Sequence, residues 1–565
     1  LYFSGMAQQN PNPSDILMAL QKDLRKKGVL LVARHAAARD ALRAMLSALE
    51  ITSVVGAGSS VEVLRQVGAT NFDIILSDYH LDDGRDGQQL LEELRQQHLI
   101  PLGTVFMIVT GERGYQNVIS VAELAPDDYL IKPFTSDQLQ ARLLKAVYKK
   151  HYFGPVYRKL DEGALIGALN ACDNLLATDS PFELDTLRLK GEILNALGRH
   201  EEAEAIYRQV LERKSVPWAR MGLAIALRGK KVLDEAETLA ESVVQEFPEY
   251  LSAYDFLAGV REEMGHLTEA QELLQQAAAI SPNNSQRQRI VGDIAVRNDD
   301  LDAAEKAYGK VLERRRGSTL SQVDDFANLS RVMIDKGHTE GARRIIQDMK
   351  RDLRGNKHGE YAAAVMDSLC AHAEGDAEKA KAAAAQALKL HESLAASADP
   401  GKPMSQKIAV DLAHACFATG DESAAQTILK KVAAENNENP NVIAHIQGVF
   451  QRTGNSDAGQ ALLDQVGREI VELNNRGVLA ARGGDIEASV RLLIEAAESV
   501  PNLQFLMNAT KAICALMEQK GWREDLAERA AHYLEVAQAR SPRDPRVLSG
   551  KEAYKKVAVK YGISG

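Results

Sequence analysis

Two patterns of apolar positions divide this chain. Up to about residue 150, short apolar runs at 29–33, 53–57, 73–77, 105–109 and 129–131 read as strands, and longer amphipathic stretches lie between most of them. Such alternation predicts a parallel sheet covered on both faces, with any functional site at the carboxyl ends of its strands. Asp78, Thr110 and Lys132 each fall at or just past such an end. After a helix expected over 136–150 the strand pattern stops and a helical period takes over. Small residues then recur at Ala203, Ala236, Ala270, Ala304, Ala342, Ala380, Ala425, Gly459 and Ser489, at spacings of 33, 34, 34, 38, 38, 45, 34 and 30. A turn marker precedes each, at Gly198, Gly229, Gly265, Asp299, Gly337, Gly375, Gly420, Gly454 and Gly484. Apolar or aromatic residues such as Tyr207, Leu274, Tyr308, Ile346, Leu429 and Leu493 follow four residues after the small one. Prolines close several units, at Pro248, Pro282, Pro501 and Pro542.

The motifs "LSDYHLDDGRDG", "MIVTGE" and "DDYLIKPF", in that order over about 120 residues, resemble the CheY-like receiver domain of two-component response regulators. The resemblance implies a doubly wound, five-stranded parallel α/β fold, Asp78 as phosphoacceptor, Thr110 as switch hydroxyl, Lys132 as phosphate-binding lysine and Tyr129 as aromatic switch. Receivers also carry two adjacent acids after the first strand, where this chain has Ala33 and Arg34 in "VLLVARHAAAR". Those acids help hold the magnesium that offsets repulsion between the aspartate and an incoming phosphoryl group. A unit charge pair at about 4 Å is worth ~4 kcal/mol at an effective dielectric of about 20, so losing carboxylates and gaining a guanidinium disfavours the metal. Magnesium binding is therefore expected to be weak or absent, with Asp78 its residual ligand, and no other cofactor is implied. Arg34 has two further readings: it pairs with Asp78 and fixes the switch, or it stabilises the transferring phosphoryl group in place of the metal. Asp82, Asp83 or Glu112 are alternative metal ligands.

The repeat period near 34 residues, with a small residue where two helices touch, resembles the tetratricopeptide repeat. Its best copies are "AYDFLAGVREEMGHLTEAQELLQQAAAISP" and "LNNRGVLAARGGDIEASVRLLIEAAESVP". The resemblance implies an all-α superhelical solenoid with a concave surface for a protein or peptide partner. The division expected is a tag-cleavage scar at 1–5 ("LYFSG"), an extension at 6–26, the receiver at 27–150 and connecting helices with a partial repeat at 151–182. An array of about nine repeats then covers 183–501, and capping helices follow at 502–565. On the family's geometry His414, Gln451, Arg452, Asn474 and Arg482 face the concave side as a polar partner groove.

Composition narrows the function. A net charge of -10 gives no general case for nucleic acid, and no apolar run approaches the ~20 residues of a membrane span. With no signal-peptide pattern the chain reads as cytoplasmic. Cys172, Cys370, Cys416 and Cys514 are far apart, without metal-ligand spacing, and read as reduced core residues. "RHEEAE" at 199–204 lacks the second histidine of a zinc-protease motif, and "RGGDIE" at 482–487, despite its likeness to the GGDEF signature of diguanylate cyclases, has Gly484 at a repeat turn. No nucleophile motif is present, and an enzyme is not expected. The expected function is a response regulator whose atypical receiver controls or dimerises an interaction scaffold, with a cognate histidine kinase as a possible partner. A homodimer is expected through Val121, Tyr129 and the helix at 135–149. The first alternative is a fully phosphorylatable phosphorelay regulator; the second is a DNA-contacting regulator using "LERRRGS" at 312–318 and the basic carboxyl-terminal tail.

Overall fold

The computed structural model describes residues 21–563 apart from 82–85, 97, 112–125, 179–180, 283, 316–321, 397–403 and 542–543. The chain divides into two compact units, Leu1–Lys190 with Phe247–Ser252 and Ala279–Asn284, and the remaining residues.

In the first unit, β1 (Val29–Val32), β2 (Val54–Ala57), β3 (Ile74–Asp78), β4 (Val105–Thr110) and β5 (Asp128–Ile131) form one parallel sheet in the order β2-β1-β3-β4-β5. Each expected strand is present to within a residue or so. The strands lack polar alternation because both faces are covered. Val29, Leu31, Ile74, Leu76, Met107 and Val109 meet Leu42 and Leu46 of helix α1 (Ala36–Ala48). The opposite set, Leu30, Val32, Ile75, Phe106 and Ile108, meets Val63 and Val67 of α2 (Ser60–Ala69) and Leu90, Leu91 and Leu94 of α3 (Gly87–Gln96). Helix α4 (Ser136–Tyr152) starts at a capping box built by Thr135 and Gln138, and places Leu139 and Leu143 on the first face.

The connecting helices pack back on this unit rather than leaving it. Tyr148, Tyr152 and Phe153 surround Phe182 at centroid distances of 5.1–5.9 Å. Lys149 pairs with Asp185 at 2.6 Å, Lys150 reaches Asp127 at 2.8 Å, and Asp161 accepts from the Leu102 amide at 3.1 Å. A cut at 150–160 falls inside this packing.

Every secondary-structure element among the described residues of the second unit is a helix. All nine small residues are buried, and Ala203, Ala236, Ala270, Ala304, Ala342, Ala380 and Ala425 have no exposed surface. Seven of the nine turn markers are glycines at φ between 72 and 87°, where a side chain is strained, and Asp299 takes the same place at φ 60°. Gly229 is the exception. There Lys231 adopts the left-handed conformation at φ 64°, while a Cβ on Gly229 would stand 2.3 Å from the His200 ring. The spacing of 38 from Ala342 to Ala380 includes the long helix Lys357–Ala373, and that of 45 from Ala380 to Ala425 the long helix Ala377–Ala396.

One repeat boundary departs from the expected pattern. Ser456–Arg482 is a single helix of 27 residues, because "GREIVELNNR" at 467–476 holds no proline and its glycine continues the helix. Val471 and Leu479 on it are 59 % and 63 % exposed.

Close packing gives a direct stability test. Gly222 lies against the buried Tyr207 ring, and an added Cβ would come within 2.2 Å of it. Gly222→Ala is expected to lower stability by about 1–3 kcal/mol in urea denaturation. Gly309→Ala, in a helix where the added methyl meets nothing within 4 Å, should instead be neutral or gain up to ~1 kcal/mol. Equal effects at the two positions would refute this packing.

Candidate functional site

The carboxyl edge of the sheet brings three of the expected side chains together. Asp78 ends β3 and Thr110 ends β4; the register pairs Asp78 with Val109 and Thr110 with Ile131. The Lys132 amide donates to the Thr110 carbonyl at 2.7 Å, which holds the residue after β5 beside the other two strand ends. Lys132 Nζ then reaches Asp78 Oδ1 at 2.5 Å, with the carboxylate 14 % exposed and the lysine 39 % exposed. Lys132 thus offsets the charge of a carboxylate that is mostly buried. Thr110 is buried, and Tyr129 is partly buried against the cluster that contains Tyr79, Leu81 and Phe106. Gly87 is required here: a Cβ on it would lie 2.9 Å from the Asp78 carbonyl oxygen, so α3 begins in contact with the aspartate's own backbone.

At the end of β1 the methyl group of Ala33 is fully buried and Arg34 is exposed. The sequence reading missed Arg39. From the first turn of α1 its Nη1 donates to the Ala33 carbonyl at 2.5 Å and to the Arg34 carbonyl at 3.2 Å. Arg39 thus brings a fixed positive charge to the two backbone carbonyls at the positions of the receiver acids. Asp78 forms its ion pair with Lys132. Asp82, Asp83 and Glu112, the alternative metal ligands, and Val121 lie outside the described residues. Among the described residues no group of three or more His, Cys, Asp or Glu side chains could hold a metal ion.

The groove expected in the array is changed by contacts within the chain. His414 is partly buried, and burial, with Arg452 beside it, pushes its imidazole down to about 4. Arg452 pairs with Asp335 at 3.4 Å, and Asn474 accepts from Asn508 at 2.8 Å. Gln451 and Arg482 are exposed, Arg482 at the end of the long helix and apart in sequence from the first three. His414 and Arg452 border a buried cluster. Arg331 grips Asp411 through both nitrogens, with Nε–Oδ1 at 2.7 Å, and His445 Nε2 lies 2.8 Å from the same carboxylate. Arg331 also donates to Asn328 at 2.9 Å. Burial opposes ionisation of Asp411, yet Arg331 and His445 hold its carboxyl well below the usual range. Further bonds join helices far apart in sequence: Lys407 to Asp293 at 2.7 Å, Arg297 to Asn441 at 3.1 Å, and Ser405 to Asp324.

The remaining sequence motifs are structural. Arg199 pairs with Glu202 in "RHEEAE", and Asp485 of "RGGDIE" caps the next helix through the Ala488 amide. The four cysteines are buried, and desolvation raises their thiols, Cys172 and Cys416 to about 12 and Cys370 and Cys514 to about 11. In the basic tail Arg540 pairs with Glu435, Arg546 with Glu438 and Asp544, and Lys556 with Glu518. Arg316 and the residues after it in "LERRRGS" lie outside the described residues.

The response regulator receiver domain model matches residues 29–144, and tetratricopeptide repeat models match 186–216 and 227–294. Among solved structures, a response regulator receiver domain protein from Clostridium thermocellum is 21% identical, covering 22% of this chain and 97% of its own, with a TM-score of 0.20. MamA is 21% identical over 29% of this chain and 95% of its own, with a TM-score of 0.25. A tetratricopeptide repeat protein from Parabacteroides merdae ATCC 43184 is 13% identical over 54% and 98%, with a TM-score of 0.32. With the site geometry and the helical second unit, the family-model matches identify a chain that carries a response regulator receiver domain followed by tetratricopeptide repeats.

Proposed function

We propose that this protein is a signalling regulator whose receiver works without the usual magnesium-assisted phosphorylation and whose repeats bind a protein partner. Receiver and repeat families together support a signalling regulator with an interaction scaffold, and neither is an enzymatic family. No helix among the described residues is long and apolar enough to cross a membrane. The observation that carries the atypical reading is Arg39 on the Ala33 and Arg34 carbonyls, together with a carboxylate already paired with Lys132. A divalent ion entering there meets positive charge from two sides. Titration calorimetry with magnesium and beryllofluoride should give no saturable binding at millimolar concentrations. Saturable binding that Asp78→Ala removes would overturn the reading, and Ala33→Asp with Arg34→Asp should create it.

A second reading, phosphoryl transfer to Asp78 from a cognate kinase, is favoured by the intact Asp78, Thr110 and Lys132 constellation; acyl-phosphate labelling at Asp78 distinguishes it. The internal pairing of the tail cations speaks against DNA contact. We further propose a twofold homodimer through the receiver. Since Phe182 and Asp185 cover the carboxyl-terminal half of α4, the available surface is its first half, with Asp137, Ala141, Arg142 and Lys145. Light scattering should give twice 61.7 kDa; a monomer would refute the dimer.

A further inference from the structure

In three repeats a proline stands twelve residues after the small residue, just past the end of the second helix. These are Pro248 after Ala236, Pro282 after Ala270 and Pro501 after Ser489. Val471 holds that place after Gly459, so Ser456–Arg482 runs on and two helices that would meet at a turn become one rod about 40 Å long. One side of the rod is buried, at Gly459, Val466, Ile470 and Gly477. The other side exposes Val471 and Leu479 together with Asp464, Arg468, Glu472 and Arg476. A groove of about 390 Å³ runs beside Val471, with Ile443, Leu463, Val466 and Ile470 in its lining.

The charges on this face determine what fits it. Asp464, Arg468, Glu472 and Arg476 stand at intervals of four, on one ridge of the helix, and their signs alternate along it. Asp464 accepts from Gln460 at 2.8 Å, and among the described residues none of the four has an ion pair within the chain. Read backwards, the row exchanges its signs. A second copy laid antiparallel across a twofold axis at Ile470 therefore brings Asp464 opposite Arg476 and Arg468 opposite Glu472, and both pairs recur on the far side of the axis. A parallel copy in register would set like charges against each other. Interdigitation of ridges with four-residue spacing is also the commonest way for two helices to cross.

We propose that this face is a contact between two copies of the chain, with the long helices crossing antiparallel and Val471 of each beside the axis. The contact belongs to the array and does not rest on the receiver pairing proposed above. Exposed ion pairs are individually weak, so it should form at concentrations on the order of 100 µM. The test is oxidation of the full chain carrying Val471→Cys at that concentration. The native cysteines are buried, and the parent chain reports their background. Across an axis at Ile470, two copies of position 471 are offset by about 3 Å along the helices and two copies of position 479 by about 27 Å. Val471→Cys should therefore form an interchain disulfide at least about tenfold faster than Leu479→Cys, at a position equally exposed. Adding Glu472→Arg sets arginine against Arg468 twice and should slow the reaction at least about threefold at low salt. Arg468→Glu should do the same, and the two together, which exchange the signs, should restore the rate. Equal rates at 471 and 479, indifference to either charge reversal, or a double variant no faster than the single ones would each overturn the proposal.

Discussion

Arg331→Met is expected to destabilise the second unit by about 3–5 kcal/mol, the range for removing one member of a buried ion pair. The side chain of Arg331 is 9 % exposed and that of Asp411 is 1 % exposed, so the carboxylate left behind has no water to replace the guanidinium. His445 cannot substitute fully: burial lowers its imidazole although Asp411 favours the charged form. The control is the double variant Arg331→Met with Asp411→Leu, which removes both charges and fills the space. It should recover most of the loss, because well-packed apolar replacements of buried pairs are often neutral or better. Urea denaturation followed by circular dichroism measures both. A single variant within 1 kcal/mol of the parent would show that the pair is solvated in solution.

Acidification should weaken the same region before the carboxylates titrate. His414 is held at about 4 in the folded chain, against an unfolded value near 6.5. Its folded pKa is depressed, so the unfolded chain binds the proton more readily. The stability it contributes is complete above pH ~6.5 and is lost as pH falls toward 4. About 2.5 pKa units at 1.36 kcal/mol each give up to ~3 kcal/mol, and about 2 kcal/mol of this should be gone by pH ~4.5. His445 acts in the same direction. Asp324 and Asp335 act oppositely, since desolvation raises their carboxyls and the folded state takes up their protons first. His414→Gln removes the imidazole and isolates its share. Between pH 7 and 4.5 the parent should lose about 2 kcal/mol more than the variant. Equal losses would place His414 in solvent.

The sheet was legible because five apolar runs, each too short for a helix, were separated by amphipathic stretches of helical period. Asp78, Thr110 and Lys132 were legible through strand ends and ordered motifs. Ala203 and its counterparts were legible because helix contacts at a fixed period demand small side chains. Arg39 was not, although it closes the stretch "VLLVARHAAAR": nothing in spacing tells a guanidinium that returns to backbone carbonyls from one on a solvated helix face. Lys231 escaped because the glycine two positions earlier looked like the turn residue, and only the backbone shows that its lack of a side chain serves His200 instead. The Arg331, Asp411 and His445 cluster joins helices about 80 and 34 residues apart, a distance at which charge patterning along one helix carries no signal.

The bonds from Lys407 to Asp293, Arg297 to Asn441 and Arg452 to Asp335 also bear on how the array comes apart. Stacked repeats that touch only their neighbours open progressively, and amide exchange then falls off smoothly toward each end. Here side chains 114, 144 and 117 positions apart are fastened to one another. Residues 285–335 and 406–452 should therefore exchange as one cooperative block, and removal of the helix Pro440–Arg452 should accelerate exchange in Ser285–Arg297, more than a hundred residues earlier in the chain.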